Sequence, residues 1–346
     1  MRTANFIPLA PFALLLGVMS ASGISTHFET ADRAMPQVDA VHFPELASAL
    51  NNWPQEVRTG AIYPDWGYLF PKHSAAAEDA HWAPFHTIAL QYLHDTYGNP
   101  WTPRTERLFA FICGIGGHGA MDDVWHFGST SFLNQAGSHD LPDWDAGDAE
   151  TAIEVLTDFF VQAEHRAWSF ERYTWWFPAG DLVAIHHLAG HPRMNHLDLT
   201  IGINLQRVGM LLEDLLWPLV DPIAAALLPW TKANYLDWYD GGVRDGAEHS
   251  ARRFESLWDE YVSIMSSQSG RSSSNVSGFA GMGATHRHPE MPGSELLLEL
   301  AKELVEDGLI KVRWEATTGG DILVHRPTIL NLLEVQRRLL SATGLN

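Results

Sequence analysis

Apolar positions recur every third and fourth residue along most of this chain, the spacing that gathers them on one face of a helix. Between Pro84 and Tyr97 the stripe is Phe85, Ile88, Ala89, Tyr92 and Leu93, with Pro84 in the first turn, where its missing N–H matters least. Thr102-Pro103 joins an N-cap residue to a proline and opens another helix. Its stripe runs through Leu108, Phe111 and Ile115 into the segment HGAMDDVWH (118–126). Ala149 to Arg172, Leu197 to Leu219 and Val243 to Ser266 repeat the amphipathic pattern. No strand alternation of useful length precedes residue 305. The pattern therefore predicts an all-α multi-helix bundle.

The two ends of the chain read differently. Arg2, an apolar run from Phe12 to Met19 and the small residues Ser20, Ala21 and Ser22 predict a secretory signal peptide over 1–22. Cleavage is expected at or next to Ser22/Gly23, and with it a secreted, extracellular protein. Residues 23–265 form the helical domain, and the serine and glycine of Ser266 to Gly283 begin a linker over 266–293. Over 294–346 a small α/β appendage is expected. It consists of a helix at Ser294 to Asp307, a hairpin of Leu309 to Trp314 with Ile322 to His325, and a helix at Pro327 to Ser341.

Composition narrows the partners. A formal charge of −20, from 42 acidic against 22 basic residues, repels polyphosphate backbones and anionic surfaces, so nucleic acid is disfavoured as a ligand. Cys113 is the one cysteine, which excludes an internal disulfide. Its neighbours Phe109, Phe111, Ile112 and Ile115 predict a buried apolar role. The sequon Asn275-Val276-Ser277 lies in the serine-rich stretch. Fourteen tryptophans, among them Trp66, Trp82, Trp125, Trp175 and Trp176, suit either a helical core or a lipid-facing groove, and core filling is the expectation.

The chemistry concentrates in HGAMDDVWH. At about 100° per residue, His118, Asp122 and His126 leave the helix within roughly 80° of arc, close enough to share metal. Imidazole and carboxylate are the donors zinc accepts when no cysteine is offered. Three ligands on one helix close no shell, so others must come from elsewhere. Gly114, Gly116, Gly117 and Gly119 surround His118, and each interior glycine costs a helix about 1 kcal/mol against alanine. Something must approach that backbone closely, either a neighbouring helix or a crowded metal cluster. Candidate ligands upstream are His27, near the start of the mature chain, Asp65 after Pro64, and His81 just ahead of a helix. Downstream, Asp148 stands at the start of another helix, where it could also act as N-cap. His186, His187, His191 and His196 lack ligand spacing and are assigned structural roles, as are His165 and His249 on amphipathic helices.

GISTHFETADRA (23–34), TGAIYPDWGY (59–68), AHWAPF (80–85) and NPWTPRTERLFAFICGIGGHGAMDDVWHFG (99–128) resemble, in order and spacing, the zinc-dependent phospholipase C/D family. The similarity is greatest to the branch that acts on glycosylphosphatidylinositol, and continues more weakly in TWWFPAGDL (174–182) and YLDWYDGGVRDGAEHSARRFESL (235–257). It spans residues 22 to 265. The resemblance implies that His27, Asp65, His81, His118, Asp122, His126 and Asp148 hold two or three zinc ions. It implies also that Asp122 bridges two metals, that Asp65 is a ligand and candidate general base, and that the free amino terminus adds a donor. The family carries a histidine four residues before the acidic ligand that follows the key helix. Here that position is Trp144, with His139 nine residues ahead of Asp148 as the nearest substitute.

The implied activity is a secreted zinc-dependent phosphodiesterase that hydrolyses phospholipids or glycosylphosphatidylinositol by metal-activated water, with Asp65 and Asp122 as catalytic residues and peripheral membrane contact. The alternatives are a zinc-dependent single-strand nuclease of the same fold, and a non-catalytic secreted binding protein that has lost one metal at the Trp144 position.

Overall fold

A computed structural model describes residues 23–68, 71–166, 175–268, 312–315 and 321–324. The helices are α1 (Ile24–Ala34), α2 (Pro44–Asn52), α3 (Pro54–Ile62), α4 (Ser74–Ala80), α5 (Ala83–Tyr97) and α6 (Pro103–His126). They continue as α7 (Phe132–Asp140), α8 (Ala146–His165), α9 (Ala179–Leu188), α10 (His196–Leu227), α11 (Pro229–Asn234) and α12 (Val243–Gln268). Short 3-10 turns lie at Met35–Gln37, Pro64–Gly67 and Pro71–His73. The fold is all-α, as the apolar periodicity predicts.

Helix α6 is the axis of the bundle. It opens with a reciprocal cap, in which the Thr102 hydroxyl accepts from the Thr105 N–H and the Thr105 hydroxyl accepts from the Thr102 N–H, each at 3.3 Å. Helices α3, α5 and α12 pack around it, with α1 alongside. The glycines explain how closely. A Cβ on Gly114 would stand 2.1 Å from the Val57 carbonyl oxygen of α3, and one on Gly60 would stand 2.1 Å from that of Phe111. The two backbones touch where they cross. Leu257 and Phe254 of α12 fill the space that side chains on Gly116 and Gly117 would need, at 2.5 and 2.6 Å. At Gly119 the obstacle is the His81 carbonyl oxygen, which a Cβ would meet at 1.9 Å. Neighbouring helices therefore account for three of the four glycines, and the segment that carries His81 accounts for the fourth. Trp66, Trp125, Trp175 and Trp176 are buried core fillers. Cys113 is buried, and burial raises its thiol pKa.

Several boundaries differ from the sequence expectation. Helix α8 stops at Arg166, whose left-handed φ of 52° ends it well before Arg172. Asp145, accepting from Gly147 N–H at 3.0 Å, caps it in place of Asp148. Helix α10 runs past Leu219 to Leu227 through Pro218 and Pro222. A strand also occurs before residue 305. β1 (Trp175–Phe177) is antiparallel to β3 (Asp321–Val324), which pairs on its other side with β2 (Val312–Glu315). All three residues of β1 are buried, so no alternation announces it. β2 and β3 overlap the two segments expected to form the C-terminal hairpin, the residues between them lie outside the described ones, and β3 also pairs with a strand that precedes α9. The expected signal peptide, most of the linker with its sequon, and the two appendage helices lie outside the described residues. Among the described residues no helix is long and apolar enough to cross a membrane.

Candidate metal centre

Four separate segments bring donors to one buried point. His27 comes from α1, Asp65 from the 3-10 turn Pro64–Gly67, His81 from the C-terminal cap of α4, and His118 and Asp122 from successive turns of α6. All five side chains are buried. Asp122 Oδ2 lies 3.0 Å from His118 Nε2 and 3.4 Å from His81 Nε2. Its Oδ1 lies 3.2 Å from His27 Nε2 and 3.7 Å from His126 Nε2. Asp65 Oδ1 stands 3.2 Å from His81 Nε2 and 3.5 Å from His118 Nε2.

Two of these rings are fixed from behind. His118 Nδ1 is 2.6 Å from the Ala61 carbonyl oxygen and His81 Nδ1 is 2.8 Å from that of Ala77. Each ring donates Nδ1–H to a carbonyl, which leaves the Nε2 lone pair turned toward the carboxylates. Lone pairs facing carboxylates repel unless a cation lies between them. Asp65 Oδ2, His118 Nε2 and Asp122 Oδ1 are all buried without a hydrogen bond, so the cluster presents unsatisfied lone pairs. The ligand atoms of His27, His118 and Asp122 lie within 4.8 Å of one another, as do those of Asp65, His81 and His118. This nitrogen and oxygen set fits zinc.

Without a bound cation, a proton takes that place. Burial opposes charge on His118, yet Asp122 and Asp65 raise its pKa well above the usual histidine range. Burial likewise opposes ionisation of Asp122 and Asp65, but the histidines around them, His118 foremost, lower both. For His27, burial and then the neighbouring His118 lower the pKa. An excess of carboxylate charge in a dry site is the condition a bound cation satisfies.

His126 belongs to a different arrangement. Its Nδ1 lies 2.6 Å from Glu150 Oε1, and its Nε2 lies 3.6 Å from Glu154 Oε1, which also accepts from the Gly23 N–H at 3.4 Å. Burial works against a proton on His126, but Glu150, Glu154 and Asp122 outweigh it and raise the pKa to about 9. Glu154 is pushed up to about 8, mainly by burial, with Asp65 and Asp122 adding to it.

Six of the sequence candidates, His27, Asp65, His81, His118, Asp122 and His126, therefore converge. Asp148 does not. It is exposed on the first turn of α8, six residues before Glu154, and six residues turn a helix by about 600°, leaving Asp148 roughly 120° around from Glu154. The acids that face His126 are Glu150 and Glu154, one turn apart on α8. Their signal was an i, i+4 glutamate pair beside the buried Ile153 and Val155. His139 cannot substitute for the missing histidine, because its ring stacks on Trp230 at 4.7 Å and 7°. Trp144 is 51% exposed. The histidines outside the cluster have structural partners: His186 with the Tyr63 hydroxyl, His187 with the Met194 carbonyl, His191 with Asp79.

Residues 26–204 match the family described as zinc dependent phospholipase C. The curated relatives are phosphatidylinositol-glycan-specific phospholipases D. The Bos taurus protein is 28% identical over 249 residues, covering 68% of this chain and 29% of its own. The Homo sapiens protein is 27% identical over 239 residues, covering 66% and 28%. The Dictyostelium discoideum protein is 25% identical over 248 residues, covering 69% and 24%. This chain spans less than a third of the length of these relatives. No solved structure matches. The matched span holds the converging histidines and carboxylates together with the helices that carry them, and the chain belongs to the zinc-dependent phospholipase C family.

Proposed function

We propose that the protein is a secreted zinc-dependent phosphodiesterase that hydrolyses phospholipids or glycosylphosphatidylinositol. The observation that carries this reading is the position of Asp122, whose two oxygens face different histidines, His118 and His81 on one side and His27 and His126 on the other. One carboxylate between two donor groups would suit two adjacent metals, one of which Asp65, His81 and His118 would hold. His126 and Glu154 would be the donors for a further ion, so the expected content is two or three zincs.

Bound zinc would neutralise the phosphodiester oxygens and lower the pKa of a water toward neutrality. The chain's own residues do the rest. Asp65 stays ionised, and its Oδ2, which has no hydrogen bond, accepts the proton of the attacking water. The buried walls exclude competing solvent. Cleavage between Ser22 and Gly23 would turn the Gly23 nitrogen, now 3.4 Å from Glu154, into a free amine beside His126. Phe127, exposed next to His126 and 6.0 Å from the Trp82 ring, gives the rim an apolar contact for a membrane surface.

The test is metal analysis of the purified protein, joined to assays on phosphatidylcholine, phosphatidylinositol and a glycosylphosphatidylinositol-anchored protein with product identification. Asp122→Asn is expected to lose zinc and to slow hydrolysis by about a thousandfold or more, the rate equivalent of several kcal/mol of charge stabilisation. A folded, metal-free protein would overturn the proposal. Comparable turnover of single-stranded DNA would move the substrate to nucleic acid.

A further inference from the structure

Three histidines of the centre have their second ring nitrogen engaged, His81 and His118 by carbonyls and His126 by Glu150. His27 is the exception. Its Nδ1 is buried and makes no hydrogen bond. The ring stacks on His118 at 3.8 Å and 24°, which fixes its plane but not how far it reaches toward Asp122.

What holds His27 lies in the two residues before it. Helix α1 begins at Ile24 behind Gly23, which has no side chain to cap it. Asp158, from α8, supplies the cap from a distance: its Oδ1 accepts from both the Thr26 N–H and the Thr26 hydroxyl, each at 2.8 Å. A carboxyl at a helix N-terminus satisfies an orphan N–H and meets the positive end of the helix dipole. Beside it, the Ser25 hydroxyl donates to Glu213 Oε2, from α10, at 2.5 Å. Ser25, Thr26, Asp158 and Glu213 are each at most 2% exposed. Two acids in a dry site are costly, and burial first, then their mutual proximity, pushes the Asp158 pKa well above the usual carboxylate range. Such a pair needs a reason to exist.

We propose that Asp158 and Glu213 are positioning residues for the metal centre, clamping the Ser25–Thr26 turn so that His27 Nε2 reaches Asp122 as a metal donor. The proposal rests on the zinc reading above. Neither acid hydrogen-bonds to His27 Nδ1. They act through the backbone of α1, in the place of the hydrogen bond that the His27 ring lacks.

The experiment is zinc titration against a competing chelator, with zinc per chain measured and folding followed by circular dichroism, on the wild type, Asp158→Ala, Asp158→Asn, Thr26→Val and His27→Ala. Asp158→Ala is expected to weaken one zinc equivalent by about 10- to 100-fold, the usual cost of removing an outer support of a metal ligand. Asp158→Asn keeps an acceptor oxygen for both Thr26 hydrogen bonds and should restore affinity to within about threefold of the wild type. Thr26→Val keeps the shape and loses one hydrogen bond, so a loss of about three- to tenfold is expected, and it answers the question if Asp158→Ala does not fold. Hydrogen exchange of the α1 amides should rise in Asp158→Ala before any loss of global stability. Wild-type zinc affinity in both Asp158→Ala and Thr26→Val, with zinc lost in His27→Ala, would overturn the clamp. Wild-type zinc affinity in His27→Ala would instead overturn the ligand assignment.

Discussion

The two halves of the centre are built from different materials. Asp65, His81 and His118 are placed by backbone: carbonyls of Ala77 and Ala61 hold the rings, and glycine contacts bring α3, α6 and the His81 segment together. Their side chains are 0–7% exposed. His126, Glu150 and Glu154 are placed by one another, with side-chain exposures of 11%, 39% and 15%. The first half is a property of the fold and cannot shift without it. The second is a property of side chains near the surface, and it is where this chain departs from the family pattern, with Trp144 exposed and His139 turned away onto Trp230.

Of substitutions that separate the two halves, the largest break should come from a single methyl group in the first. At Gly119 a Cβ would meet the His81 carbonyl oxygen at 1.9 Å and its carbonyl carbon at 3.0 Å, so Gly119→Ala must displace His81. A displacement of about 1 Å at a reacting centre costs roughly a hundredfold in rate, and zinc held by Asp65, His81 and His118 should weaken with it. Gly137→Ala in α7 is the matched control, since its Cβ would find only Ala149 and Ile153 atoms at 3.8 Å. That substitution should keep activity and raise stability by up to about 1 kcal/mol. Equal losses in the two variants, measured as zinc content and turnover, would erase the distinction between the halves.

A smaller effect is expected in the second half. Glu154→Gln should remove one zinc equivalent, leave the rest bound and lower turnover by about 10- to 100-fold, the range for a lost support of a metal site. Asp148→Asn should change neither, because Asp148 is exposed on the first turn of α8, away from His126. A loss in Asp148→Asn with none in Glu154→Gln would return the role to the residue that family spacing points to.

This contrast also explains what the sequence could reveal. The bundle was legible because apolar spacing records burial; of the six converging candidates, His118, Asp122 and His126 were legible because they share one helical face, and His27, Asp65 and His81 because of the family resemblance. Gly114 and Gly119 even announced that backbone would come close, though only the structure distinguishes Val57 from His81 as the neighbour. Strand β1 was illegible because burial on both faces removes alternation. Glu154 was hidden for another reason: a glutamate on an amphipathic helix looks solvated until the fold brings His126 and Gly23 against it. The Asp158 clamp was invisible, being a contact across 132 positions.

The last difference between the regions lies in how their histidines titrate. Facing carboxylates, His126 is raised to about 9, whereas His86, behind the first half, is lowered to about 3 by burial and by Arg253. Its Nε2–H donates to the Ala80 carbonyl at 3.1 Å, one residue before His81, and its Nδ1 accepts from Arg253 at 3.0 Å, so the fold requires the neutral ring. The folded pKa lies below the ordinary histidine value of about 6.5, so the unfolded chain binds the extra proton first. The contribution is complete above pH of about 6.5 and declines as pH falls toward 3, by about 1.4 kcal/mol per pH unit. Urea unfolding of the chelator-treated protein between those limits should show a pH slope shallower by about that much in His86→Gln than in the wild type, to which the other buried histidines also contribute. Chelation keeps ligand protonation by metal release out of the comparison. An unchanged slope in the variant would place the acid sensitivity elsewhere, with buried His186, also lowered to about 3 by burial, the next histidine to substitute.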